Sequence, residues 1–191
     1  MTSCPQVDVA LVHAPVVNRR GEVIGSAVTN LDLHDIARAC RTFGVDTYWV
    51  ITPFAKQQEL SEQIINHWLE GHGKSANPDR GEALSLIRLR TGLDEVIDET
   101  RTKWGRELVV VATCAGGKQE TITYSGLRQK ITSGVPVLLL FGTAWGLAPE
   151  VFSLVESTLP PIHGPGNYNH LSVRSAASII LDRLLGCRED G

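Results

Sequence analysis

Apolar runs alternate with amphipathic segments along the whole chain, in the order expected of an α/β protein. The most hydrophobic run, residues 135–141 (VPVLLLF), is typical of a central strand that is buried on both faces of a parallel sheet. The other predicted strands are residues 7–13, 45–52, 107–115 and 159–163. These segments predict a mostly parallel sheet.

Between the strands, apolar residues recur at helical spacing, which predicts helices that cover both faces of the sheet. The predicted helices are residues 30–42, 56–71, 92–104, 124–132, 148–156 and 172–185. The polar, turn-rich stretch 71–80 is predicted to be a loop. Because no repeat or low-complexity linker divides the chain, we expect residues 1–191 to form one domain.

The composition limits the partners that the chain can have. Its 191 residues are 42% apolar and 20% charged, which allows a sizeable core and argues against disorder. The net charge of −3 means that a polyanion such as RNA must meet a local basic patch. We see no membrane span and no signal peptide, and therefore expect a cytoplasmic protein. The four cysteines never form C-x-x-C, which predicts reduced thiols and no metal site.

Small residues are concentrated at three junctions that follow predicted strands: residues 112–117, 141–147 and 160–166. In an open parallel sheet, ligands bind beyond the carboxyl ends of the strands, and glycine lets a ligand approach the backbone closely. The three junctions together could form a pocket for a nucleotide such as adenine, although each could equally be an ordinary turn. None of them carries a dinucleotide or P-loop fingerprint.

Three segments resemble the motifs of the SPOUT methyltransferases. Residues 138–151 (LLLFGTAWGLAPEV) resemble the second motif, an apolar strand followed by a G-x-x-x-G-L turn. Residues 159–181 resemble the third motif, in which a loop leads into a small-residue helix that opens with L-S-V. Residues 29–45 resemble the first motif, with an arginine five positions before Phe-Gly. The resemblance implies a C-terminal trefoil knot, a homodimer, and methyl transfer from S-adenosylmethionine to RNA.

The resemblance also implies which residues hold the cofactor. Thr113 and Ala115 would edge its methionine or adenine end. The second motif would supply backbone groups and close approach through Phe141, Gly142, Gly146 and Leu147. The third motif would enclose the adenine with Ile162, Leu171, Ser172, Val173 and Ala176.

Candidate catalytic residues lie in the first and third motifs. Arg38 matches the arginine of the first motif and could hold a phosphate or favour deprotonation of a ribose hydroxyl, or it could be a solvated helix residue. Asn30 is a second candidate, with helix capping as the alternative. Asn169 and His170 crowd the third motif, where a histidine could act as a base or simply be part of a polar loop.

The chain departs from the pattern of the ribose-methylating branch. Asp32 stands where that branch has an asparagine, and His34 where a glycine is common. The usual L-N-V-S of the third motif is replaced by a segment that ends in Arg174. An arginine so near a helix N-terminus opposes the local dipole, so we expect an anion or a carboxylate beside it.

The sequence therefore predicts an S-adenosylmethionine-dependent RNA methyltransferase that acts on tRNA or rRNA, at a ribose 2′-hydroxyl or a base nitrogen. A non-catalytic protein that binds the same cofactor and an α/β domain of another nucleotide-using type are the alternatives. Trp145 is the tryptophan expected nearest to a ligand. Basic residues that could meet RNA fall into three groups: Arg19 with Arg20, Arg88 with Arg90, and Lys118 with Arg128 and Lys130.

Overall fold

The computed structural model describes residues 5–105, 107–116, 121–166 and 168–187, and within these ranges six strands form one parallel sheet. The strands are β1 (Val7–Val12), β4 (Thr47–Ile51), β5 (Ile87–Arg90), β6 (Val109–Ala112), β7 (Val137–Gly142) and β8 (Ser157–Thr158). Their order across the sheet is β5-β4-β1-β7-β6-β8, and every neighbouring pair is parallel. A short antiparallel hairpin of β2 (Val16–Val17) and β3 (Val23–Ile24) follows β1.

Helices lie on both faces of the sheet. They are α1 (Asn30–Thr42), α2 (Ala55–Leu69), α3 (His72–Ala76), α4 (Pro78–Leu84), α5 (Leu93–Trp104), α6 (Tyr124–Thr132), α7 (Val173–Leu185) and a 3-10 helix (Pro149–Leu154). Alternate residues of β7 face two different cores: Leu139 packs in the core that contains α1 and α7, and Leu140 packs in the core that contains α5. The prediction of a central strand buried on both faces is confirmed.

Several predicted elements are confirmed closely. The helices α1 and α6 have the predicted bounds, and α7 begins one residue later than predicted because Ser172 is its N-cap. Asn30 is not a cap, because the side chain of Thr29 accepts the hydrogen bond from the backbone N–H of Asp32 at 3.2 Å. In that position Asn30 is simply the first residue of the helix.

Three predictions of local structure were wrong. The stretch predicted as a loop contains α3 and α4. Asn77 caps α4, and Pro78 stands at its first helical position, where a backbone N–H would have no partner within the helix. Residues 159–163 do not form a strand, since two consecutive prolines there offer no N–H to a ladder, and the edge strand is β8 instead. The segment predicted as helix 148–156 is a 3-10 helix, and β5 was not predicted at all.

The described part of the chain has neither a membrane-spanning helix nor a cluster of metal-ligating side chains. No helix there is long and apolar enough to cross a membrane. Within the same residues, no group of three or more histidine, cysteine, aspartate or glutamate side chains is placed to hold a metal ion.

Candidate functional site

The carboxyl ends of β1, β7 and β6 lie side by side at one edge of the sheet. Val12 pairs with Gly142 at the ends of β1 and β7, and Ala112 of β6 pairs with Leu140. Three loops leave this edge, which we call the β6 loop (residues 113–116), the β7 loop (residues 143–147) and the α7 loop (residues 159–171). They overlap the three small-residue junctions that the sequence singled out.

The β6 loop and the α7 loop are joined directly. The side-chain amide of Asn169 donates to the carbonyl oxygen of Ala115 at 3.0 Å. The backbone N–H of Leu159 donates to Ala112 at 3.0 Å where the α7 loop begins. At the other side, both the N–H and the hydroxyl of Thr113 donate to the carbonyl of Leu140, at 3.0 and 2.9 Å, so the β6 loop is also fixed to β7.

The end of β7 and the β7 loop form a tight turn in which two glycines have different uses. A Cβ on Gly142 would come within 2.6 Å of the backbone nitrogen of Leu147, so the turn closes only because residue 142 has no side chain. Gly146 has a φ of 111°, and a Cβ there would meet nothing within 4 Å. Phe141 and Leu147 are both buried in the core. Gly146 is therefore the open position of this loop.

The N-terminus of α7 is anchored to α1 by an ion pair. The guanidinium of Arg174 donates to the carboxylate of Asp32 at 2.8 Å and lies 3.3 Å from that of Asp35. Asp32 is only 5% exposed. The anion expected beside Arg174 is thus supplied by the protein itself, and the pair fixes the position of the helix start that carries Ser172 and Val173.

The four candidate catalytic residues fall into two groups. Asn169 and His170 lie in the α7 loop, where the ring of His170 meets that of Tyr168 edge-on at 5.7 Å. Asn30 and Arg38 lie on α1 and are exposed. Arg38 lines a groove of about 590 Å³ between α1 and α7, and its side chain forms no ion pair among the described residues. The described residues that line this groove include Ser172 at the start of α7 but none from the β6 loop or the β7 loop.

A buried histidine at the end of β1 escaped the sequence analysis. His13 is 0% exposed, and its Nδ1 lies 3.1 Å from the hydroxyl of Ser26. That hydroxyl lies 2.5 Å from the hydroxyl of Thr143, which donates to the carbonyl of Val12 at 3.0 Å. The signal that could have revealed it is a polar residue that directly follows the apolar run VALV in the segment VDVALVH.

The hydroxyl of Thr143 donates to the carbonyl of Val12, and the hydroxyl of Ser26 lies within reach of both Thr143 and the carbonyl of His13, at 2.5 and 3.4 Å. The Nε2 of His13 has no hydrogen-bond partner among the described residues. Burial lowers the pKa of His13 from 6.5 to about 4, and the nearby carboxylate of Asp32, which raises this pKa, offsets only part of the effect. The ring is therefore neutral at pH 7.

Three of the seven candidate RNA-binding side chains, Arg88, Arg90 and Arg128, are already engaged. Arg90 forms a bidentate pair with Glu99, and Arg88 donates to backbone carbonyls. Arg128 donates to the carbonyls of Arg183 and Gly186, while Lys118 lies outside the described residues. Arg19 and Arg20, by contrast, are exposed and form no ion pair within the described ranges.

Comparison with solved structures finds SpoU and TrmH methyltransferases. The chain matches the SpoU methyltransferase AviRb from Streptomyces viridochromogenes, solved in complex with AdoMet, with a TM-score of 0.58 and 21% identity over 95% of this chain and 57% of that one. It matches a TrmH/SpoU tRNA modifying enzyme from Aquifex aeolicus with a TM-score of 0.58 and 16% identity over 95% and 74% of the two chains. At these identities the matches establish the fold.

Sequence relatives are much more similar. A tRNA (guanine-N(1)-)-methyltransferase from Oleidesulfovibrio alaskensis is 46% identical over 177 residues, which is 93% of this chain and 41% of that protein. An uncharacterized protein from Aquifex aeolicus is 40% identical over 179 residues, which is 93% of this chain and 87% of that protein. The chain therefore spans less than half the length of the relative that carries an activity in its name.

A family model described as SAM-dependent RNA methyltransferase matches residues 6–186, which is nearly the whole chain. This match and the solved relatives confirm the resemblance to the SPOUT methyltransferases that the three motifs suggested. The chain belongs to the family of SAM-dependent RNA methyltransferases, enzymes whose methyl donor is S-adenosylmethionine.

Proposed function

We propose that this chain methylates tRNA or rRNA, at a ribose 2′-hydroxyl or a base nitrogen, and that the three loops at the carboxyl edge hold the methyl donor. The observation that carries the proposal is the joining of the β6 loop to the α7 loop beside the β7 loop, in a chain of this family. Transfer RNA is the first substrate to test, because two relatives that are 46% and 43% identical to this chain are named tRNA (guanine-N(1)-)-methyltransferases.

The loops fit S-adenosylmethionine because their backbone is open where a ligand would lie. A Cβ added at Gly146, Gly164 or Gly166 would meet nothing within 4 Å, and Ala115 is exposed. When bound, the cofactor supplies a methyl group on a sulfonium centre. The proposed contacts are those implied by the resemblance: Thr113, Ala115, Phe141, Gly142, Gly146, Leu147, Ile162, Leu171, Ser172, Val173 and Ala176.

Replacing Gly146 by valine is expected to weaken S-adenosylmethionine binding about tenfold or more, because a branched side chain enters the open position and does not tolerate a positive φ. Isothermal titration with S-adenosylmethionine measures the effect. The matched control is Gly105→Val, since Gly105 also has a positive φ and open space around its missing Cβ but ends α5, away from the loops. Equal affinities for the two variants would remove Gly146 from the cofactor site.

Methyl transfer is the second half of the test. Purified enzyme with tritiated S-adenosylmethionine and total tRNA or rRNA should produce labelled RNA, and nucleoside analysis of the product separates a 2′-O-methyl from a base methyl group. Tight cofactor binding with no transfer to any RNA would favour the non-catalytic alternative instead.

We further propose a trefoil knot and a homodimer. The chain reaches the edge strand β8 and then returns across β6 to α7, which packs against α1, α6 and β7, and this return supports a knotted path. Arg38 faces an open groove between α1 and α7 that no residue of the β6 loop or the β7 loop lines, which supports a role in the site of a second copy. RNA and S-adenosylmethionine meet in the cytoplasm, the proposed compartment.

A mixed dimer tests this sharing of sites. Arg38→Ala and Gly146→Val should each lower methyl transfer about tenfold. If Arg38 serves the partner's site, co-expression with two tags should restore about a quarter of wild-type activity, because about half of the dimers are mixed and each has one intact site. Activity no higher than the mean of the two single variants would place Arg38 outside the partner's site.

A further inference from the structure

The β2–β3 hairpin is fastened to the β7 loop by backbone hydrogen bonds. The N–H of Trp145 donates to Val17 at 3.0 Å, and the N–H of Val17 donates to Gly146 at 2.9 Å. A third bond runs from Ala148 to Pro15 at 3.2 Å, and Val16 is fully buried beneath them. The hairpin and the β7 loop therefore behave as one unit at the rim of the proposed cofactor site.

This unit holds a large aromatic side chain out in solvent. Trp145 is 63% exposed. It stands between Ala144, which has a φ of 52°, and Gly146, which has a φ of 111°. A positive φ is uncommon for a residue with a side chain, so the turn keeps an unusual backbone while leaving the indole without a core to pack in. Burial does not explain the position of Trp145.

The tip of the hairpin carries two free cations. The side-chain oxygen of Asn18 accepts from the N–H groups of Arg20 and Glu22, at 2.8 and 3.1 Å, and its amide donates to the carboxylate of Glu22 at 2.6 Å. The one acidic group of the tip is thus held by Asn18, while Arg19 and Arg20 project without an ion pair among the described residues. Arg19 lies two residues, or about 7 Å of extended chain, from Val17 and its bond to Trp145.

We propose that Trp145 and the arginine pair Arg19–Arg20 bind an unpaired nucleotide of the RNA substrate next to the one that is methylated. An aromatic face stacks on any base, and guanidinium groups bind phosphates, so this combination of side chains suits a single-stranded RNA segment of any sequence. Because the net charge of the chain is −3, the protein as a whole does not attract RNA, and a local group of cations must supply the attraction. This inference rests on the proposed function, because it concerns how the same site receives RNA.

The test measures RNA affinity separately from catalysis. Fluorescence anisotropy with a labelled single-stranded oligonucleotide and with total tRNA, at saturating S-adenosylhomocysteine, gives the dissociation constant. Trp145→Ala should weaken binding about tenfold or more, and Trp145→Phe should retain most of it. Arg19→Ala/Arg20→Ala should also weaken binding and should reduce the slope of log affinity against log salt by about 1.4, the value for two single-strand phosphates.

Matched controls come from α2 and α3. Leu60→Ala removes another exposed apolar side chain, and Lys56→Ala/Lys74→Ala removes two exposed cations of the same sign. Both control variants should bind the oligonucleotide as wild type does. S-adenosylmethionine affinity of Arg19→Ala/Arg20→Ala should also stay at the wild-type value, since neither arginine is among the proposed cofactor contacts.

The outcomes separate the two claims. Wild-type RNA binding that is unaffected by Trp145→Ala and by the double arginine variant would overturn this inference while leaving methyl transfer intact. A Trp145→Ala protein that sediments as a monomer, yet binds RNA normally at high concentration, would assign the indole to the dimer contact and overturn it too. Failure of the wild type to bind S-adenosylmethionine would instead count against the proposed function.

Discussion

Acidification from pH 7 to pH 4 is expected to remove about 3 kcal/mol of folding stability through His13 alone, because the difference between its folded and unfolded pKa is worth about 1.36 kcal/mol per unit. The unfolded chain takes up this proton near pH 6.5, whereas burial lowers the folded pKa to about 4. Between these values the unfolded state binds more protons, so stability falls as the pH falls. Well above pH 6.5, His13 is deprotonated in both states, so it no longer contributes to the pH dependence of stability.

Denaturant unfolding of the wild type and of His13→Gln at several pH values between 7 and 4 measures this. The wild type should lose more stability on acidification than the variant, by about 3 kcal/mol. His72→Gln is the control, since it makes the same substitution at an exposed position. Identical pH dependence in the wild type and His13→Gln would show that His13 is not buried as a neutral ring.

The structural consequence reaches the β7 loop. Protonated His13 would require a partner for Nε2, which has none among the described residues, in a place from which solvent is excluded. To relieve that penalty, the structure around the hydrogen-bonded hydroxyls of Ser26 and Thr143 must open. We therefore expect cofactor binding to weaken in the same pH window, as the β7 loop loses its tie to β1.

The periodic parts of the chain were predictable because burial sets their pattern. The run that became β7 has no polar residue and must lie inside the sheet, and the apolar stripe of α1 can only pack inward. Glycine-rich strand ends pointed to the carboxyl edge by the general geometry of parallel sheets. The motif order then identified the family, which the family model confirmed.

What could not be predicted depends on contacts between distant residues. His13 and Thr143 are 130 positions apart, and neither lies in a pattern that announces a hydrogen bond. The α3–α4 segment has the composition of a loop, and it is helical because Gly81 and Leu84 pack against neighbouring helices. Arg174 gave a local signal, its conflict with the helix dipole, but only the fold shows that Asp32 resolves it.

Arg174→Met is expected to cost about 3 kcal/mol or more of stability, because it leaves a buried carboxylate without its partner. Asp32 is 5% exposed, and the guanidinium of Arg174 lies 2.8 Å from it. The same substitution should abolish S-adenosylmethionine binding at concentrations that saturate the wild type. The reason is that this ion pair fixes the start of α7, where Ser172 and Val173 are proposed to enclose the adenine.

Two variants distinguish a specific ion pair from a general loss of charge. Arg41 lies on α1, as Asp32 does, and Arg41→Met breaks its ion pair with Glu82 of α4. Both side chains of this pair are more than half exposed, so the loss of folding stability should stay below about 1 kcal/mol. Asp32→Asn/Arg174→Met removes both buried charges and should recover much of the lost stability, as measured by denaturant unfolding. A double variant no more stable than Arg174→Met would mean that the arginine acts through packing of its stem. The placement of α7 against α1 would then depend on the apolar contacts of Ala177 and Leu181, and cofactor binding should survive the loss of both charges.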